Sequence, residues 1–115
     1  MIEMDARVDT VIKIMNDSIT DELSVSTLSR AVNLSPTRLR QLFNKEIGCP
    51  PMQYLRRLRM QRACELLSTT FLSIKEITGR CGVGDMSHFE RDFKKHCGLT
   101  PSEFRQLRDK CAKKV

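Results

Sequence analysis

The sequence predicts an all-α fold of seven helices, in which two similar helical units are joined by a long helix. Apolar residues recur at helical spacing in segment after segment, and no segment alternates apolar and polar residues as a half-buried strand would. Helix-start signals precede most of these segments, and glycine follows several of them. The chain also resembles itself at an offset of about 50 residues. Together these three observations favour a duplicated helical domain.

The composition indicates a single basic domain with an anionic partner. The chain has 115 residues and a net charge of +6, and charge of this sign favours nucleic acid. No apolar run approaches the ~20 residues needed to span a bilayer. Glu3, Asp5 and Arg7 interrupt any signal-peptide core. We therefore expect a cytoplasmic protein with no membrane association.

The cysteines and histidines predict neither a metal site nor a cofactor. The five cysteines are separated by 14 to 17 residues, so no C-x-x-C ligand pair exists. His88 and His96 lie eight residues apart without a second cluster of ligands. An odd number of unpaired cysteines suits a reducing compartment, where cysteine acts as a small apolar residue. No sequence pattern singles out a redox role.

The first three helices are predicted from their caps and apolar spacing. Helix one runs from about Ala6 to Ile19 behind Asp5. Helix two runs from about Val25 to Val32 behind Ser24. Helix three begins at Ser35-Pro36 and ends at Gly48. The residues predicted to face inward from helices two and three are Val25, Leu28, Ala31, Val32, Leu39, Leu42, Phe43 and Ile47.

The remaining four helices follow from similar signals. Pro50-Pro51 begins a long helix that reaches about Leu67. A capping box at 73–76 begins helix five, which ends at Gly82. Asp85 caps helix six, which ends at Gly98. A second capping box at 100–103 begins helix seven. Residues predicted to face inward from these helices are Tyr54, Leu55, Leu58, Ala63, Leu66, Leu67, Ile74, Ile77, Phe89, Phe93, Phe104 and Leu107.

The internal repeat identifies the two units. At an offset of 50, Phe43 aligns with Phe93 and Gly48 with Gly98. Upstream the offset falls to 49, so the second copy has one extra residue in its turn. Each copy is a short helix, a turn and a longer helix, which is the helix-turn-helix pattern of major-groove readers. The alternative is an ordinary helical hairpin within a bundle.

Surface chemistry favours DNA over that alternative. The outward residues of helix three offer donors and acceptors suited to base edges and phosphates, with no acid before Glu46. The outward face of helix six is less positive because it carries Glu90. This residue either accepts a hydrogen bond from a cytosine amine or pairs with Lys94. The outward residues are Thr37, Arg38, Arg40, Gln41, Asn44 and Lys45 on helix three, and Met86, Ser87, His88, Glu90, Arg91, Lys94 and Lys95 on helix six.

The long helix has the length and charge of a linker between two DNA-reading units. Residues 51–67 form a rod of roughly 25 Å at ~1.5 Å per residue. Recognition helices in successive major-groove faces lie ~34 Å apart. The rod and the widths of the packed units together reach that separation, with DNA bending where they fall short. Its basic residues are Arg56, Arg57, Arg59 and Arg62.

Five motifs resemble the DNA-binding domain of AraC/XylS transcription regulators: 23–29, 35–48, 54–67, 73–77 and 88–105. The resemblance covers about Asp9 to Leu107 in the family's order and spacing. It implies two homeodomain-like helix-turn-helix subdomains joined by a long helix. It also implies a bacterial transcription regulator, usually an activator, that often contacts RNA polymerase. Most members carry an effector or dimerisation domain that this chain lacks, which implies a stand-alone member or an excised C-terminal domain.

We therefore predict an AraC-type domain over 1–115, with subdomain one at about 6–49, the linking helix at about 51–67 and subdomain two at about 73–110. The resemblance places base contacts in both subdomains and a phosphate contact at Arg56. The base-contacting residues are Thr37, Arg38, Arg40, Gln41, Met86, Ser87, His88 and Arg91. The phosphate-contacting residues are Ser24, Asn44, Lys45, Arg56, Lys75, Lys94 and Lys95.

Two departures from the family pattern fall in the second subdomain. Val83 follows Gly82 where the family usually has Phe, and Thr78 follows Ile77 where it usually has Ala. Gly79 inside a helix costs ~1 kcal/mol relative to Ala. We expect a looser second subdomain that becomes ordered on DNA, while the first subdomain supplies most of the specificity.

Three other functions are weighed against duplex DNA binding. A helical adaptor would need an exposed apolar patch, and the pattern shows none beyond the predicted core stripes. An RNA-binding domain would need an aromatic stacking platform, whereas the five Phe and Tyr54 fall mostly at core positions. An enzyme would need a catalytic constellation, and none occurs. We predict a DNA-binding protein that is not an enzyme.

Overall fold

The computed structural model describes residues 4–113, with side chains as far as Asp109. Over this part of the chain every regular element is an α-helix. The seven predicted helices are all present, so the predicted fold class is confirmed. No helix in the described range is long and apolar enough to cross a membrane. The helices are α1 (Ala6–Asp17), α2 (Val25–Ala31), α3 (Pro36–Ile47), α4 (Pro51–Thr69), α5 (Ile74–Arg80), α6 (Met86–Cys97) and α7 (Pro101–Lys113).

The predicted caps form because each supplies an oxygen to an unpaired amide of the first turn. The carboxylate of Asp85 accepts from the Ser87 amide at 2.8 Å. At the start of α7, the Thr100 amide donates to Glu103 Oε1 at 2.9 Å and the Glu103 amide donates to Thr100 Oγ1 at 3.2 Å. The same kind of side-chain acceptor caps the other helix starts at Asp5, Ser24, Ser35 and Ser73.

The two helix-turn-helix joints use the same backbone device. Asn33 in the first turn and Gly82 in the second have φ of 57° and 78°, the left-handed region that ends a helix. The amide that follows each of them donates back to a buried hydroxyl residue of the preceding helix: Leu34 to the Ser29 carbonyl at 2.9 Å, and Val83 to the Thr78 carbonyl at 3.2 Å. The second joint has five residues where the first has four, which confirms the predicted extra residue.

The chain divides into two compact units within α4, between Leu58 and Arg59. Each unit has its own apolar core and its own edge-to-face aromatic pair. Phe43 and Tyr54 have ring centroids 5.5 Å apart in unit 1, and Phe93 and Phe104 have centroids 5.6 Å apart in unit 2. The fully buried core of unit 1 is Val8, Val11, Met15, Leu28, Leu39, Phe43 and Leu55. The buried core of unit 2 is Met60, Ala63, Leu67, Ile77, Cys81, Phe89 and Phe93.

Two residues predicted to face inward are exposed. Ala31 lies outside the buried stripe of α2, because Ser29 rather than Ala31 completes the face that Leu28 defines. Leu107 is 55% exposed, because α7 turns Arg105 and Arg108 towards the protein, beside Phe104. Some helix limits also shift: α1 ends at Asp17, α4 continues to Thr69 and α5 ends at Arg80. Met60, absent from the predicted core, is only 1% exposed.

Candidate nucleic-acid interface

Helix α3 holds an exposed polar stripe along its whole length. Its inner face is fixed by Leu39 and Phe43, which are fully buried, and its start is fixed by the Ser35 cap. Residues three or four apart on a helix are neighbours, so the outer positions form one continuous surface. Every predicted contact residue of α3 is exposed: Thr37, Arg38, Arg40, Gln41, Asn44 and Lys45.

Three polar side chains of the α3 stripe make no hydrogen bond or ion pair within the described part of the protein. Across residues 4–109, no hydrogen bond or ion pair involves the side chains of Arg38, Arg40 or Gln41. Ion pairs in this range include those of Asp5 with Arg7 and of Arg108 with Asp109, neither of which involves α3. The donors and acceptors of α3 are therefore available to an external ligand without breaking an internal contact.

Helix α6 presents the equivalent surface in unit 2. Phe89 and Phe93 are buried, and Asp85 caps the helix start. Met86 is 38% exposed at the first position of the helix. The remaining contact residues predicted on α6 are all exposed: Ser87, His88, Arg91, Lys94 and Lys95.

The two stripes differ most at one pair of aligned positions. Arg40 of α3 aligns with Glu90 of α6 at the offset of 50. Helix α3 carries three basic residues and one acid, whereas α6 carries three basic residues and two acids. Glu90 and Lys94 form no ion pair among the described side chains. The carboxylate of Glu90 is exposed, so it lowers the positive potential of the outer face of α6.

The predicted phosphate contacts outside α3 and α6 lie on α4, on α5 and at the cap of α2. Lys75 is exposed in the first turn of α5, and Arg56 is exposed on α4 beside Arg57. Ser24 is exposed, but its hydroxyl oxygen already accepts from the Thr27 amide at 3.1 Å as the cap of α2. The Ser24 hydroxyl also shares a hydrogen bond with the Thr27 hydroxyl at 3.0 Å, in which either oxygen can donate. If Thr27 donates, the Ser24 proton is the side-chain group that can reach a phosphate oxygen.

A shallow groove opens at the second turn, between α5 and the start of α6. Half-buried Val83 lies at this groove, at the position where the family resemblance leads us to expect Phe. A Cβ built on Gly79 or Gly84 would meet no atom within 4 Å, so the groove has room at both glycines. Its lining residues are Lys75, Thr78, Gly79, Val83, Gly84 and Met86.

Two basic residues that the sequence left unassigned have structural partners. Arg105 and Arg108 of α7 donate to backbone carbonyls at and just after the end of α4. We call this pair the α4 clamp. A helix end leaves carbonyls without partners, and the clamp satisfies some of them. No sequence signal identifies the clamp, because its donors and acceptors are more than 30 residues apart.

Among the described residues, no three His, Cys, Asp or Glu side chains come together as a metal site. The arrangement instead consists of two units, each with a short capped helix, a tight turn and a longer helix with an exposed polar face. This geometry defines a double helix-turn-helix protein.

Comparison with known proteins gives the family. A family model described as a helix-turn-helix domain matches residues 28–107. A transcriptional regulator of the AraC-type DNA-binding group from Chromobacterium violaceum is 31% identical, with a TM-score of 0.83 over 90% of this chain and 92% of that chain. The C-terminal domain of the response regulator yesN from Fusobacterium nucleatum is 34% identical, with a TM-score of 0.83 over 88% of this chain and 99% of that one. The chain belongs to the AraC-type family of helix-turn-helix DNA-binding domains, a non-enzymatic family of transcription regulators.

Curated relatives are longer than this chain. The transcriptional activator RhaS from Enterobacter sp. (strain 638) is 35% identical over 105 residues, which are 91% of this chain and 38% of that protein. The arabinose operon regulatory protein of Salmonella typhimurium is 35% identical over 89% of this chain and 37% of its own length. The DNA-binding domain of AdpA, solved with a target DNA, is 25% identical, with a TM-score of 0.84 over 88% of this chain and 91% of that chain.

Proposed function

We propose that the chain binds double-stranded DNA in a sequence-specific way, with α3 and α6 in adjacent faces of the major groove. The observation that carries this proposal is the exposed, internally unengaged stripe of α3, together with its counterpart on α6. Arg side chains suit guanine, Gln suits adenine and the Thr methyl suits the thymine methyl. The relative AdpA, whose DNA-binding domain was solved with a target DNA, supports DNA as the ligand.

We propose that different residues contact the bases and the phosphates. Base contacts are assigned to the first turns of the two recognition helices, and phosphate contacts to their later turns and to neighbouring helices. The base readers are Thr37, Arg38, Arg40, Gln41, Met86, Ser87, His88 and Arg91. The phosphate contacts are Ser24, Asn44, Lys45, Arg56, Lys75, Lys94 and Lys95.

The proposed subdomains are residues 6–49 and 73–110, with 51–67 as the link within one domain over 1–115. We assign most of the specificity to subdomain one, because Arg40 offers a guanine-reading group where Glu90 offers only an acceptor. The α6 surface then acts chiefly as a backbone anchor through Lys94 and Lys95.

The proposed biological role is activation of transcription in a bacterial cytoplasm, with RNA polymerase as a second partner. Several relatives are named as activators, RhaS among them. Each of these is more than twice as long as the matched region, so most of their length lies outside the match.

The test begins with selection of bound sites from a random duplex pool. Two preferred blocks about one helical turn apart are expected, and a single block would contradict base reading by α6. Fluorescence anisotropy then compares cognate with scrambled duplexes. Arg40→Ala is expected to lose roughly 5- to 150-fold in cognate affinity, because a good bidentate base contact is worth ~1–3 kcal/mol, and to lose little on scrambled DNA.

Lys45→Ala provides the contrasting variant. Removing one phosphate contact is expected to weaken binding to both duplexes and to reduce the log–log salt slope by ~0.9. Lys13→Ala, on the exposed face of α1, is the control for loss of an unrelated charge. Equal losses for Arg40→Ala on cognate and scrambled duplexes would refute its base-reading role.

A further inference from the structure

Two thiols of unit 2 meet in space although they are 33 residues apart in sequence. The Sγ atoms of Cys64 on α4 and Cys97 at the end of α6 are 3.2 Å apart. Both cysteines are half-buried rather than fully enclosed in the core. The other described cysteines differ: Cys81 is fully buried in the core of unit 2, and Cys49 is buried in unit 1.

This separation is short enough for a covalent bond to form with little movement. A disulfide has an S–S length of ~2.05 Å, so closure requires the two sulfurs to approach by roughly 1 Å. We propose that Cys64 and Cys97 form a redox-active dithiol, which hydrogen peroxide converts to an intramolecular disulfide between α4 and the end of the recognition helix α6. The site lies outside the predicted base and phosphate contacts.

The chemistry is balanced with one peroxide. The Cys97 thiolate attacks one peroxide oxygen, the O–O bond breaks, and Cys97 becomes a sulfenic acid while hydroxide leaves. The sulfur of Cys64 then attacks the sulfenic sulfur, the S–O bond breaks, and the Cys64 proton leaves with that oxygen as water. Overall two thiols are oxidised and one hydrogen peroxide is reduced to two waters. A thiol reductant reverses the bond by exchange.

The surroundings of Cys64 indicate that it reacts in the second step, as the thiol that attacks the sulfenic acid. Burial, and then the hydrogen bond with Cys97, raise the pKa of the Cys64 thiol to about 12. Cys64 therefore keeps its proton near neutral pH and supplies it to the leaving oxygen. Because the thiolate is the reacting species, the protonated Cys64 thiol is a poor first target for peroxide, and Cys97 takes the first step.

The internal repeat shows that only unit 2 has a cysteine at the end of its recognition helix. The residue of unit 1 aligned with Cys97 is Ile47, so α3 has no thiol at the same place. The bond would close a loop between positions 64 and 97 and hold the end of α6 against α4. Closing a loop of this size is expected to raise the unfolding midpoint of unit 2 by about 10 °C or more.

Tryptic peptide mapping of the full chain tests the proposal. Cleavage after Lys and Arg puts Cys64 in peptide 63–75, Cys97 in 96–105 and Cys81 in 81–91. After peroxide treatment of the native protein, we expect peptides 63–75 and 96–105 joined with the loss of two hydrogens, and separated again by dithiothreitol. A thermal scan of the oxidised protein is expected to show the higher midpoint.

Variants separate the pair from the other thiols. Cys97→Ser and Cys64→Ser are each expected to abolish the linked peptide and the rise in midpoint, whereas Cys49→Ser keeps both. Circular dichroism establishes that each variant is folded. If a variant does not fold, peptide mapping of the chain without substitutions tests the proposal instead. Independent oxidation of each thiol, or linkage to peptide 81–91 or to Cys111, would overturn the proposal. Mapping is done without DNA, so its result is independent of the proposed function.

Discussion

Truncation of Arg105 in the α4 clamp should destabilise unit 2 without removing a DNA contact. Its Nη1 donates to the Leu72 carbonyl and its Nη2 to the Thr70 carbonyl at 3.2 Å. Hydrogen bonds from a charged donor are worth ~1.5–3 kcal/mol each. Its Nε is buried with no partner among the described residues, and an unsatisfied donor costs ~1–3 kcal/mol. We therefore expect Arg105→Ala to lower the free energy of unfolding by about 2 kcal/mol.

Arg108→Ala should destabilise unit 2 at least as much, because each of the three guanidinium nitrogens of Arg108 donates a hydrogen bond. Its Nη1 donates to the Leu67 and Thr70 carbonyls at 2.7 and 2.8 Å, and its Nε and Nη2 donate to Asp109 at 3.1 and 2.9 Å. The guanidinium carbon also lies 5.5 Å from the centroid of the Phe71 ring. The exposed Asp109 pair adds little. We expect Arg108→Ala to cost ~2–4 kcal/mol, at least as much as Arg105→Ala.

Urea denaturation followed by circular dichroism measures these costs. Gln106→Ala is the matched control, because Gln106 is exposed on the same helix. Arg105→Lys should recover only part of the loss, since a lysine ammonium is a point donor and does not reproduce the planar fork that spans two carbonyls. The reasoning fails if Arg105→Ala stays within ~0.5 kcal/mol of the control, the range of an ordinary surface substitution. It also fails if Arg105→Ala lowers the salt slope of DNA binding as a phosphate contact would.

Four further substitutions test the second unit. Gly79→Ala should stabilise it by up to ~1 kcal/mol in urea titration, whereas Gly98→Ala, at a φ of +80°, should destabilise it; the opposite order would refute this account of the two glycines. Val83→Phe should raise the melting temperature by burying more apolar area in the groove, and an unchanged or lower value would mean that the ring does not enter it. The backbone and then the side chain of Thr100 lower the pKa of Glu103, so its contribution is present above its unfolded pKa near ~4.3 and is lost as pH falls through the lower folded pKa. Glu103→Gln should flatten this part of the acid profile, and parallel profiles for the two proteins would contradict it.

The helices were predictable because their signals are local. Ser35-Pro36 and the capping boxes at 73–76 and 100–103 satisfy amides within three residues, so the sequence contains both partners. The same reasoning fails where burial depends on a neighbour. Ala31 and Leu107 have helical spacing but lie outward, because the partner helices lie on another side of α2 and α7.

The polar stripe of α3 was predictable for a related reason. Exposure of residues such as Arg40 and Gln41 follows from the burial of Leu39 and Phe43 on the same helix, and periodicity shows both faces. Contacts between distant segments leave no such pattern. Cys97 occupies the place of Ile47 in the repeat, so the sequence indicates only a small apolar residue there. Its contact with Cys64 exists only once α4 and α6 are packed.

Whether a basic residue is available to DNA also depends on tertiary contacts. A net charge of +6 favours an anionic partner, but it treats every basic residue as equally available. Arg105 and Arg108 are turned towards carbonyls of their own unit, and Arg108 also contacts Asp109. The basic residues of α3 have no such internal partner among the described side chains. Affinity for DNA should therefore follow the charge on the recognition stripes, and removing a clamp arginine should change stability more than the salt dependence of binding.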